Sequence, residues 1–194
     1  EAKDAEVFVH NWETGHRMGR LEHDDSLRLL MRAGVPEDEL RAMRELYDHV
    51  RQYADALEDD HCTELNDEAE LAFETGALRV IHTPGHTPGS CSFLREADRT
   101  LIAGDCVLKR VTPNPVISPD PIDPSRRFRS LAEYLVSLAR VRSFAPTLVY
   151  GGHGEPIHDL VDGDLGVRRP RRTAHLGRPA EILGGVGVEV AVAA

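Results

Sequence analysis

The chain is poor in cysteine, in positive charge and in long apolar runs, and each shortage excludes something. Its three cysteines, Cys62, Cys91 and Cys106, show no paired spacing, which argues against a disulfide framework and for a reducing, cytoplasmic compartment. Lys and Arg number 23 against 33 Asp and Glu, a net charge of -10, so non-specific attraction to nucleic acid or an anionic membrane is disfavoured. No apolar run approaches the length of a membrane span, and the first residues do not read as a signal peptide. No G-x-S-x-G elbow offers a serine nucleophile. What remains is 194 residues, a one-domain length, with a hydrophobic fraction of 41% that suffices for a sizeable core.

The informative stretch is 78–105, LRVIHTPGHTPGSCSFLREADRTLIAGD. A Gly/Pro-rich turn carries His86, a strand is expected over 90–95, and a second over 100–104 delivers Asp105 at its end. Residues 147–154, TLVYGGHG, repeat the arrangement: an apolar strand, a glycine break, then His153. Three metal-type side chains thus follow the ends of three strands, as suits a metal site held by loops on a rigid sheet. Imidazole and carboxylate hold zinc while leaving positions open for water, unlike an all-thiolate site. The Pro-Gly turns flanking His86 fix the backbone that aims it, and Gly104 lets the chain pass close to a bound ion.

HTPGHTPGS, then a strand and LIAGD, then a helix, a strand and GGHG, resembles the metallo-β-lactamase fold superfamily of metallohydrolases, over about residues 5–159. The resemblance implies an α+β fold, the αββα sandwich. It also implies that His86 binds one metal, His153 another, and Asp105 bridges both. The implied cofactor is zinc, two ions per complete site roughly 3.5 to 4 Å apart, other divalent metals being alternatives. The family's H-x-H-x-D-H signature is absent; AEVFVH resembles the strand that normally follows it. The expectation is therefore an N-terminally incomplete domain over 1–159, weakly active as it stands, followed by a tail over 160–194. A zinc-dependent hydrolase of a small ester, thioester or lactone is implied, as in the glyoxalase II-like and lactonase-like branches. The rivals are a phosphodiesterase or nuclease, which would want a basic groove, and an inactive remnant.

Helices are expected over 25–33, capped by Asp25 or Ser26, over 36–57, and over 129–141 with Leu131, Leu135, Leu138 and Val141 on its buried face. The first two form a helical insertion at about 25–58. Its stripe from Leu40 through Met43, Leu46, Tyr47, Val50 and Tyr53 to Leu57 is expected to pack on the domain, or else to form a lid or homodimer contact. The implied partner is a small-molecule substrate; nucleic acid and membrane are not expected.

Other residues of metal-binding type have plainer readings. His10, His16 and His23 match no compact motif and are expected to be solvated loop or rim residues. His82 ends a strand and is expected to be structural or supporting, Cys91 is a core thiol, and strand alternation points Cys106 away from Asp105. Lys109 and Arg110 could neutralise an anionic substrate but are expected to be solvated. The Arg168 to Arg172 cluster could contact nucleic acid but is expected to belong to a solvated or disordered tail.

Overall fold

A computed structural model describes residues 6–13, 23–51, 62–74, 76–114, 117–158, 160 and 191–192. The alternating stretch read above builds a meander. Strands β3 (Glu70–Phe73), β4 (Gly76–His82), β5 (Cys91–Arg95) and β6 (Thr100–Gly104) pair antiparallel in sequence order. The chain then crosses over through helix α3 (Ser130–Ser143), so β7 (Leu148–Gly151) joins β6 in parallel, as a long helical connection permits and a hairpin does not. β8 (Ile157–His158) closes this six-stranded sheet.

The pairing directions place the site. β4 and β6 are each antiparallel to β5 and therefore run the same way, and β7 runs parallel to β6. The C-terminal ends of all three lie along one edge of the sheet. The turn bearing His86 leaves β4 there, Asp105 leaves β6, and the loop bearing His153 leaves β7.

The two faces of the sheet have separate cores. Ile81, Leu94, Leu101, Ala103 and Val149 point to one face, where Tyr134, Leu138 and Val141 of α3 cover them. On the other face Val80 and Cys91 meet Leu65 and Phe8. These belong to a small second sheet in which β1 (Val7–His10) pairs in parallel with β2 (Cys62–Leu65) and antiparallel with β9 (Ala191–Val192). Helix, large sheet and small sheet form the expected α+β sandwich. The tail contributes β9, an element its glycine-broken sequence did not announce.

Helix α3 corrects the sequence reading. Leu138 and Val141 are buried as expected, but Leu131 and Leu135 are 60% and 55% exposed and line an open groove with Ile117 and Phe128. The buried face is instead Ser130, Tyr134, Ser137, Leu138 and Val141. Accordingly Leu138→Ala should cost about 2–5 kcal/mol in a urea melt, and Leu135→Ala no more than about 0.5 kcal/mol.

The insertion begins with α1 (His23–Arg32), so Asp25 and Ser26 lie inside the helix rather than capping it. It continues with α2 (Glu37–Arg51), preceded by Pro36 and acidic in its first turn, as expected. The two helices lie against each other with Leu27 and Leu40 buried. Met43 is half-buried, whereas Leu46 and Met31 are exposed, so the stripe is covered only in part. The side chains of Tyr47 and Val50 and residues 52–57 lie outside the described set.

Candidate metal centre

The three ligand candidates meet at one carboxylate. His86 Nε2 stands 3.5 Å from Asp105 Oδ2, and His153 Nε2 stands 3.6 Å from Asp105 Oδ1. Each imidazole thus faces a different oxygen. Among the described residues no group of three or more His, Cys, Asp or Glu side chains is gathered so as to hold a single ion. Two imidazoles on opposite oxygens of one carboxylate is instead the arrangement that a bridge between two ions would use.

Local structure aims each group. His86 is buried on the 83–89 turn and its Nδ1 lies 2.9 Å from the carbonyl oxygen of Asn114. A carbonyl only accepts, so Nδ1 carries a proton and Nε2 is the ring nitrogen turned toward Asp105. The two atoms, 3.5 Å apart, are an imidazole nitrogen and a carboxylate oxygen, the donor types that hold a divalent ion. Asp105 is only 14% exposed. Gly152 makes room beside it, because a Cβ there would come 2.6 Å from Asp105 Oδ1. The Gly152 N–H donates to Gly104 O at 2.7 Å, tying the β6 and β7 loops together. His153 is 76% exposed on its loop. These donors fit a divalent metal, and their types and spacing were legible in the sequence.

Further out, Glu155 accepts a hydrogen bond from Lys109 Nζ at 2.9 Å and lies 3.6 Å from Arg110. The Lys109 ammonium holds the Glu155 carboxyl below the usual range. Both cations are exposed as expected, yet they are engaged by a carboxylate rather than presented to an anionic substrate. Cys106 is buried in the core beneath α3, and Cys91 in the second core.

The expectation for His10 was wrong. It is buried and stacked on His82, ring centroids 3.8 Å apart and planes 15° from parallel, with Trp12 edge-on to both. Strand alternation, which puts His10 on the side of Phe8, was the available signal. His16 lies outside the described residues, as do Arg168 to Arg172, and of His23 only its place at the start of α1 is described. Burial, followed by the neighbouring His82, lowers the His10 pKa to about 4 against an opposing pull from Asp67. His82 is lowered chiefly by burial, with Arg140 adding to it and the Pro88 carbonyl, Asp67 and Glu13 opposing. Between about pH 6.5 and pH 4 the unfolded chain therefore binds protons that the fold refuses. Stability is full above pH 6.5 and falls as the pH drops through this window, by on the order of 2 kcal/mol. The melting midpoint should drop by about 5 °C from pH 7 to 4.5, and His10→Phe should flatten that slope.

Three comparisons bear on this geometry. The family model for the metallo-beta-lactamase superfamily matches residues 6–153. Among curated relatives, a beta-lactamase-like protein 2 homolog of Caenorhabditis elegans is 31% identical over 98 residues, 50% of this chain and 29% of that protein. The atrochrysone carboxyl ACP thioesterase of Aspergillus fumigatus is 27% identical over 90 residues, 46% of this chain and 24% of that protein. Among solved structures, a metallo-beta-lactamase family protein from Thermus thermophilus superposes with a TM-score of 0.62 at 31% identity, covering 80% of this chain and 48% of that one. The chain spans less than a third of the length of these curated relatives.

Proposed function

The chain belongs to the metallo-beta-lactamase superfamily, whose members are mostly metal-dependent hydrolases, and from its site we propose that it acts as a zinc-dependent hydrolase on a small ester, thioester or lactone. The observation that carries this is the placement of His86 Nε2 and His153 Nε2 against different oxygens of the Asp105 carboxylate, with His86 Nδ1 engaged by the Asn114 carbonyl. Asp105 with His86 would hold one ion, and Asp105 with His153 the other. Bound there, divalent ions activate a water and polarise the oxygen on which charge accumulates. The Asn114 carbonyl fixes the His86 tautomer, and Gly152 keeps the space beside Asp105 clear.

An acyl substrate is favoured because one relative is named a carboxyl ACP thioesterase and because, among the described residues, the basic side chains near the site that a phosphodiesterase would want are engaged by a carboxylate. Lys109 and Arg110 are both drawn to Glu155. None of the three cysteines is in a disulfide, which supports a reducing, cytoplasmic setting. A small-molecule substrate completes the reading, with a homodimer contact through the exposed Met31 and Leu46 of the helical insertion.

The test is hydrolysis of aryl ester, thioester, lactone and phosphodiester substrates by the native protein, with and without a chelator, alongside its zinc content. Chelator-sensitive cleavage of acyl substrates is expected. Preference for the phosphodiester would hand the site to the nuclease reading, and cleavage indifferent to chelation would remove the metal.

A further inference from the structure

We propose that Glu13 and His82, with His10 behind them, are positioning residues that lock one peptide group of the His86 turn and so aim His86 at Asp105. The inference rests on the metal reading of the site. It starts from Thr87-Pro88-Gly89-Ser90, directly after His86. Proline followed by glycine at the centre of a β-turn is compatible with both type I and type II geometry. The two differ by rotation of the single peptide between those residues; Pro-Gly favours type II, but Gly89 lacks the positive φ that type II requires, so something beyond the local sequence sets this peptide.

That peptide is held on both sides. Its carbonyl, Pro88 O, lies 2.9 Å from His82 Nε2, which must therefore be the donor. Its N–H, that of Gly89, donates to Glu13 Oε1 at 2.7 Å. A flip would break both bonds at once. The other half of the turn is fastened differently: Ser137 Oγ of α3 donates to Pro84 O at 2.7 Å, and Thr83 N–H donates to Ser90 O at 2.8 Å. His86 sits between these two attachments.

The identities of the surrounding residues follow from this role. His82 is fixed at its own backbone as well. Its N–H donates to Asp67 Oδ1 at 2.7 Å, and its carbonyl accepts from Arg140 at 3.1 Å, while Arg140 pairs with Asp67. Its ring lies flat on His10. His10 Nδ1 in turn accepts the Trp12 N–H at 3.2 Å, within the short 3-10 turn Asn11–Glu13 that presents the Glu13 carboxylate. An apolar ring at position 82 would fill the same space but leave the Pro88 carbonyl without this donor. Neither imidazole of the pair belongs to the group around Asp105.

The experiment uses the native protein and two readouts: amide exchange at Gly89 by NMR without metal, and Co2+ affinity from visible absorption. Glu13→Ala and His82→Phe should each raise Gly89 exchange about tenfold or more, the scale of a lost charge-assisted or buried hydrogen bond, and weaken Co2+ binding about three- to tenfold. Glu13→Gln and His82→Gln keep an acceptor and a donor, and should stay within about twofold of the parent on both readouts. These conservative variants also keep the comparison sound if an alanine variant folds poorly. Unchanged Gly89 exchange in Glu13→Ala overturns the lock. Faster exchange with parental Co2+ affinity overturns its link to His86. His86→Ala separates the two levels: if it too binds Co2+ normally, the metal reading fails and this proposal with it. If it loses Co2+ while Glu13→Ala does not, only the positioning role fails.

Discussion

Asp105→Ala should abolish Co2+ or Zn2+ binding at the centre and lower chelator-sensitive hydrolysis at least about a hundredfold, with a melting midpoint close to the parent's. Asp105 faces both imidazoles, at 3.5 and 3.6 Å through different oxygens. Removing it takes a ligand from each ion, whereas His86→Ala or His153→Ala takes one from a single ion. Two ligands per ion from these residues fall short of the three that a catalytic zinc usually takes, so losing Asp105 would leave each ion one imidazole from this set. Stability should survive because the side chain sits at the sheet edge, outside the core that Leu101 and Ala103 of the same strand enter. Calorimetric metal titration of parent and variant decides it. An Asp105→Ala protein that binds and turns over normally would show that the centre lies elsewhere.

Gly85→Ala should be the most destabilising single-methyl addition in this region, costing about 3 kcal/mol or more and lowering the melting midpoint by roughly 10 °C. A Cβ at Gly85 would stand 2.5 Å from Tyr134 Cβ and 2.6 Å from Tyr134 Cα, and the residue has φ of +149°. Tyr134 cannot yield, since it is buried in the core with Leu138 and Val141. Helix α3 would have to move outward, stretching the Ser137 to Pro84 hydrogen bond and tilting the turn that carries His86. Metal affinity should fall with stability here, unlike in Leu138→Ala, where the damage stays in the core. Urea melts and Co2+ titrations on both variants check the contrast.

The residues of the candidate centre could be picked out from the sequence because the signal for each is local. Each ligand type sits immediately after a strand-period segment and beside a Gly or Pro break, so His86, Asp105 and His153 stand out without knowledge of what pairs with what. Strands of the large sheet were legible for the same reason, since alternation in LRVIH, CSFLR and TLIAG is a property of neighbours along the chain, whereas the short β8 was not.

The tertiary structure decided what depends on distant partners. Helix α3 carries apolar residues around most of its circumference, so its period fixed a helix but not its rotation. Contact with Gly85 and the Ser137 hydroxyl turned Tyr134 inward and left Leu131 and Leu135 outside. The burial of His10 likewise needed His82, which the fold brings face to face with it. The convergence of three ligands needed the parallel run of β4, β6 and β7, which pairing across the sheet establishes and no single segment encodes. Residue types and periodicity are set by covalent neighbours, whereas helix rotation, imidazole stacking and ligand convergence are set by which surfaces exclude water together, and that only the folded chain determines.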